Sequence, residues 1–170
     1  MANPLYGQNT ADDAIDLLRN GKLLGVRECN DDTTLVAADS GKLIMIGTAA
    51  KTITLPSAEE GMVLDFCLKV EATAGTTVLA SSGDCFFGTV DVQSTTADNT
   101  AVTQVVTHAA AIGTVASYDN LDFVHDSATL GGHAGDSFRL IAVDTTAWLF
   151  QGVLTTDHAN PGTIAVINAG

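Results

Sequence analysis

Cations are scarce in this chain: Lys and Arg number seven against twenty Asp and Glu, a formal net charge of −13. Nucleic-acid binding needs clustered cations to neutralise phosphates, so nucleic acid is not an expected partner. An anionic membrane surface is disfavoured for the same reason. Chains this acidic repel one another except where contacts are specific. Cysteine is scarce too. Cys29, Cys67 and Cys85 are odd in number and form no Cys-x-x-Cys, which argues against a disulfide framework and against a zinc site. Cys67 and Cys85 sit inside strand-like runs and read as small buried hydrophobes. Aromatics make up 5% of the residues, so Leu, Val, Ile and Ala must build the core. No apolar run approaches the ~20 residues that span a bilayer. The opening MANPLYGQNTADD has neither the basic nor the apolar region of a secretory signal. A protein made in a reducing cytoplasm is expected.

What is present is β-sheet signal. Ser137 to Val143 and Trp148 to Leu154 are apolar runs separated by the polar Asp144-Thr145-Thr146-Ala147, the pattern of a β-hairpin. Both arms are apolar at nearly every position, which places the hairpin in the middle of a sheet. Upstream, short strand-like runs recur: Leu23–Arg27, Thr33–Ala38, Leu43–Gly47, Lys51–Leu55, Met62–Val70, Thr76–Ala80, Cys85–Gln93, Ala101–Thr107 and Leu121–His125. Turn signals separate them, among them Ser81-Ser82-Gly83-Asp84. About ten short strands at near-regular spacing predict an all-β fold, a jelly-roll-like antiparallel β-sandwich over residues 22–170. No internal repeat of fixed period is visible. Residues 1–21 read as an extended arm followed by a short helix over Thr10–Asn20. Thr10 suits the N-cap, Asp13 completes a capping-box-like pair, and Gly21 ends the helix. Its narrow apolar stripe, with Ile15 and Leu18, needs something to dock on.

Residues with catalytic or metal-ligating chemistry form no recognisable constellation. His108, His125, His133 and His158 are scattered, and Asp122, His125, Asp126, His133 and Asp136 spread across a Gly-rich stretch without fixed ligand spacing. Asp12-Asp13 and Asp31-Asp32 lack the alternation of a calcium loop and read as turn and cap residues. No Gly-x-Ser-x-Gly elbow and no phosphate-cradling glycine loop occurs. The expectation is therefore a non-enzyme with no cofactor and no metal. Trp148, between Ala147 and the apolar Leu149 and Phe150, reads as core in preference to a sugar-stacking platform.

Two stretches carry a resemblance. KTITLPSAEEGMVLDF, Lys51 to Phe66, has an alternating strand ending in Leu55-Pro56, a polar loop, and Gly61 opening the next apolar strand. Asp136 to Gly152 has a strand, a short turn and a Trp-bearing strand ending in glycine. Both are similar to pieces of virion surface proteins of tailed bacteriophages, among them capsid decoration (cement) proteins, head fibres and tail-fibre domains. The resemblance implies a homotrimeric jelly-roll on the capsid surface of a virion, with the major capsid protein as partner. It further implies that the N-terminal arm and helix touch the shell or a neighbouring subunit, through Pro4, Leu5, Tyr6, Ile15 and Leu18. Two other readings remain open: a carbohydrate- or receptor-binding module of a phage fibre, which needs exposed aromatics, and a small hydrolase or cupin-like enzyme, which needs clustered histidines.

Overall fold

The structure, a computed structural model, describes residues 25–94, 101–106, 119–123 and 132–156. The expected arm and helix of residues 1–21, and with them Pro4, Leu5, Tyr6, Ile15 and Leu18, lie outside the described residues. So do His108, His125 and His158.

Eleven strands carry the described chain: β1 (Val26–Cys29), β2 (Thr33–Thr34), β3 (Leu43–Ile46), β4 (Thr52–Thr54), β5 (Val63–Leu68), β6 (Thr76–Leu79), β7 (Cys85–Ser94), β8 (Ala101–Val106), β9 (Asn120–Phe123), β10 (Ser137–Ala142) and β11 (Ala147–Thr156). The fold is all-β as expected. One turn of 3-10 helix, Ala37–Asp39, replaces the end of the strand expected over Thr33–Ala38. The strands form a seven-stranded sheet, ordered β1-β3-β5-β10-β11-β7-β8, and a four-stranded sheet, ordered β2-β4-β6-β9.

The pairing corrects the antiparallel expectation. From β1 to β6 the chain alternates between the sheets. Strands next-but-one in sequence therefore run the same way and lie side by side. The pairs β1–β3, β3–β5, β2–β4 and β4–β6 are all parallel. Parallel neighbours need a crossover connection, and here a strand of the other sheet supplies it. β11 also pairs β7 in parallel, whereas β5–β10, β10–β11, β6–β9 and β7–β8 are antiparallel. Both sheets are thus mixed.

The hairpin β10–β11 sits mid-sheet, flanked by β5 and β7, as the apolar character of both arms predicts. Its turn is tied by Asp144, whose Oδ1 accepts from the Thr146 N–H at 2.7 Å and from the Thr146 hydroxyl at 3.0 Å. Strict alternation on β5 and β10 sends Leu64, Phe66, Leu68, Phe138, Leu140 and Ala142 inward. There they join one buried cluster with Ile53, Val78, Leu121 and Phe123 of the smaller sheet. Phe138 is the joint between the sheets. Its ring stacks on Phe66 of β5 at 4.7 Å and 6°, and on Phe123 of β9 at 5.0 Å and 19°. Trp148 is fully buried, as its apolar neighbours predict.

Candidate docking face

Alternation that buries one set of side chains points the other set out of the large sheet. The inter-strand register arranges that outer set in rows. Val63, Ile141, Leu149 and Phe87 sit side by side on β5, β10, β11 and β7, a continuous half-buried apolar row. The next row runs Val26, Leu43, Asp65, Arg139, Gln151 and Thr89. The third runs Glu28, Met45, Cys67, Ser137, Val153 and Asp91. Cys67 therefore departs from expectation. It is half-buried on the outer face, whereas Cys29 and Cys85 are buried. The cause is register: Phe66 and Leu68 take the inward positions, so Cys67 between them must face out.

Charge on this face is largely neutralised. Arg139 donates to both oxygens of Asp65, Nε to Oδ1 at 2.6 Å and Nη2 to Oδ2 at 2.9 Å, a bidentate pair across β5–β10. Hydrogen bonding to Asp65, then its charge, holds the guanidinium pKa above its usual value. Lys69 donates to Glu28 at 2.5 Å, and that hydrogen bond with the charge behind it lowers the Glu28 pKa. Over the ion pair lies a shallow, open depression of about 670 Å³, lined by Leu43, Asp65, Arg139, Gln151 and Val153 among others. Phe66, Phe138 and Gly152, in register with one another across β5, β10 and β11, line it too.

Two buried carboxylates pin the margins of the sheet. Asp39, at the end of the 3-10 turn, accepts from Arg27 of β1, from Lys42 at 2.9 Å and from the Val36 N–H at 2.9 Å. Burial pushes its pKa up, but the Val36 N–H, Lys42 and Arg27 outweigh burial and hold it below the usual carboxylate value. Asp136, just before β10, accepts from the Thr155 N–H at 3.0 Å, the Thr155 hydroxyl at 2.6 Å and the His133 N–H at 3.1 Å. Here burial dominates and raises the pKa, with Thr155 and His133 opposing it. Asp136 thereby clamps the far end of β11 to the start of its own hairpin partner.

The sequence reading singled out Asp136 as a member of a scattered polar set, and the structure makes it a structural clamp. His133 lies near it, with Nδ1 3.8 Å from Glu71 Oε1. Asp122 accepts from the Thr77 hydroxyl at 2.6 Å on the other sheet, well apart in topology. Asp32 accepts from the Thr52 N–H at 2.9 Å and ties the β1–β2 connection to β4, in keeping with a turn role. Among the described residues no group of three or more His, Cys, Asp or Glu is placed to hold a metal ion, and no helix is long and apolar enough to cross a membrane. The outer face escaped the sequence reading. Its signal was Val63, Ile141, Leu149 and Val153 at outward positions of β5, β10 and β11, where a solvated face would carry polar residues. No protein-family model, curated protein or solved structure gives a significant match to this chain.

Proposed function

We propose that this chain is a structural virion protein, a decoration protein that cements the capsid of a tailed bacteriophage by bridging shell subunits. One observation carries the reading. The two stretches that resemble virion surface proteins are direct neighbours at the centre of the fold, with β5 paired to β10 and Phe66 stacked on Phe138 at 4.7 Å. They behave as one scaffold, which is how a shared module would be built.

On this reading the two sheets are the layers of a β-sandwich, held together through Phe138. The parallel ladders from β1 to β6 set it apart from a simple jelly roll. Copies act as homotrimers on the virion surface, with the major capsid protein as partner and Pro4, Leu5, Tyr6, Ile15 and Leu18 as contacts to the shell or a neighbour. No catalytic step is involved. Stabilisation comes from many weak contacts made at once, so the effective affinity for a shell exceeds that of any one contact. The acidic surface keeps decorated particles apart. Particles lacking the protein are expected to release their genome at lower temperature than particles saturated with it. Equal heat resistance with and without it rules the reading out. The carbohydrate-binding alternative loses its main aromatic, since Trp148 is sealed in the core.

A further inference from the structure

We infer that the outer face of the seven-stranded sheet is the surface through which copies of this chain assemble. The inference deepens the virion reading by naming the self-contact on which its trimer depends. Three observations converge. First, one full row of the face is apolar where a solvated sheet would be polar. The row Val63–Ile141–Leu149–Phe87 spans four adjacent strands, and Val153, two positions along β10–β11 pairing from that row's neighbour, is 43% exposed. A contiguous apolar patch of this kind marks an interaction surface.

Second, charge selects the partner. The chain carries −13 overall, so most encounters between copies are repulsive. On this face the carboxylates Asp65 and Glu28 are paired with Arg139 and Lys69. Here copies meet with little net repulsion. Arg139, half exposed, also lies open to a neighbour's carboxylate. A cationic partner would be better matched elsewhere on so acidic a molecule.

Third, the face is extensive. Seven strands at ~4.8 Å spacing span about 29 Å between the outermost ones. The five strands of six to ten residues, at ~3.3 Å per residue, add about 20 Å or more in the other direction, and the four-residue β1 and β3 about 13 Å. The resulting ~500 Å² of sheet is a substantial part of the ~800 Å² per partner of a stable protein–protein interface. In a closed ring of three, each copy meets two neighbours through different parts of this face, a heterologous contact.

The test is the solution mass of the full chain by light scattering. The wild type is expected at a multiple of 17.5 kDa, and raising salt should strengthen assembly by screening the remaining repulsion. Val153→Glu is expected to drop the mass to the monomer, as is Ser137→Glu on the adjoining strand. Val36→Glu makes the same exchange at a residue 54% exposed outside the large sheet and should leave the mass unchanged. Circular dichroism identifies a variant that has failed to fold, in which case the other variant decides. A wild-type monomer, or folded variants that stay assembled, overturns the inference. Monomers that still protect particles from heat would overturn it while leaving the decoration reading standing. Assemblies that protect no particle would do the reverse.

Discussion

Gly152 faces Phe138 across the β10–β11 pair, so closely that a Cβ on Gly152 would lie 2.5 Å from the Phe138 Cβ and 2.8 Å from the Ser137 carbonyl oxygen. The glycine lets β11 approach the Ser137–Phe138 backbone this closely. Gly152→Ala is therefore expected to cost about 2 kcal/mol of stability, read from urea unfolding. The clash is with Cβ and backbone, not with the ring, so trimming Phe138 to Ala should not relieve it. A double variant that recovers stability would show that the ring sets the spacing.

Gly88 bears the same relation to Phe150 more severely. It pairs Phe150 in the parallel β7–β11 ladder at φ +139°, and a Cβ there would sit 2.0 Å from the Phe150 carbonyl oxygen. Here backbone conformation and space both exclude a side chain. Gly88→Ala should cost about 4 kcal/mol, more than Gly152→Ala. The order of the two losses in paired denaturation curves is the check.

The two clamping carboxylates respond to pH in opposite senses. Asp136 has its folded pKa raised above the ordinary 3.8, chiefly by burial. Its contribution is fully present below 3.8 and is lost as pH rises through the folded value. The stability of wild type minus Asp136→Asn should fall over that window and then level. Asp39 has its pKa lowered, because the Val36 N–H, Lys42 and Arg27 outweigh burial. Its contribution is present above 3.8 and is lost as pH falls through the folded value. Asp39→Asn leaves Arg27 and Lys42 without their shared anion and should cost about 3 kcal/mol at neutral pH. Urea unfolding at a series of pH values separates the two, and equal slopes for both pairs would contradict the assigned environments.

Local chemistry made the hairpin legible. Two apolar β-rich arms and the polar turn Asp144–Ala147 are short-range signals, and the place of the hairpin between β5 and β7 follows from the composition of the arms. The winding of β1 to β6 left no such trace. Val26, Leu43 and Asp65 stack in one row, as do Thr33 and Ile53, yet connections of unequal length separate them, so no fixed period shows in the sequence. Pairing direction is set by which sheet takes the intervening strand, a long-range choice that alternation alone does not encode. The docking face was hidden for a related reason. Which of two alternating sets faces the core depends on register, and the outward set of this sheet mixes apolar with polar residues.

Trp148 isolates one further quantity. Its ring is fully buried, and its indole Nε1 has no hydrogen-bond partner among the described residues. Leaving a buried donor unpaired costs about 1–3 kcal/mol, whereas the ring's apolar area stabilises the core. The two contributions separate by substitution. Trp148→Phe removes the orphan N–H together with part of the ring, and the gain and loss nearly cancel, so the variant should stay within about 1 kcal/mol of wild type. Trp148→Ala keeps neither and opens a cavity beside Phe86 and Ala142, the residues it pairs with on either side, at a cost of about 4 kcal/mol. Both are read by circular dichroism, since each variant removes the chain's single tryptophan fluorophore. If Trp148→Phe costs as much as Trp148→Ala, the N–H holds a partner, such as a buried water, and its orphan status is wrong.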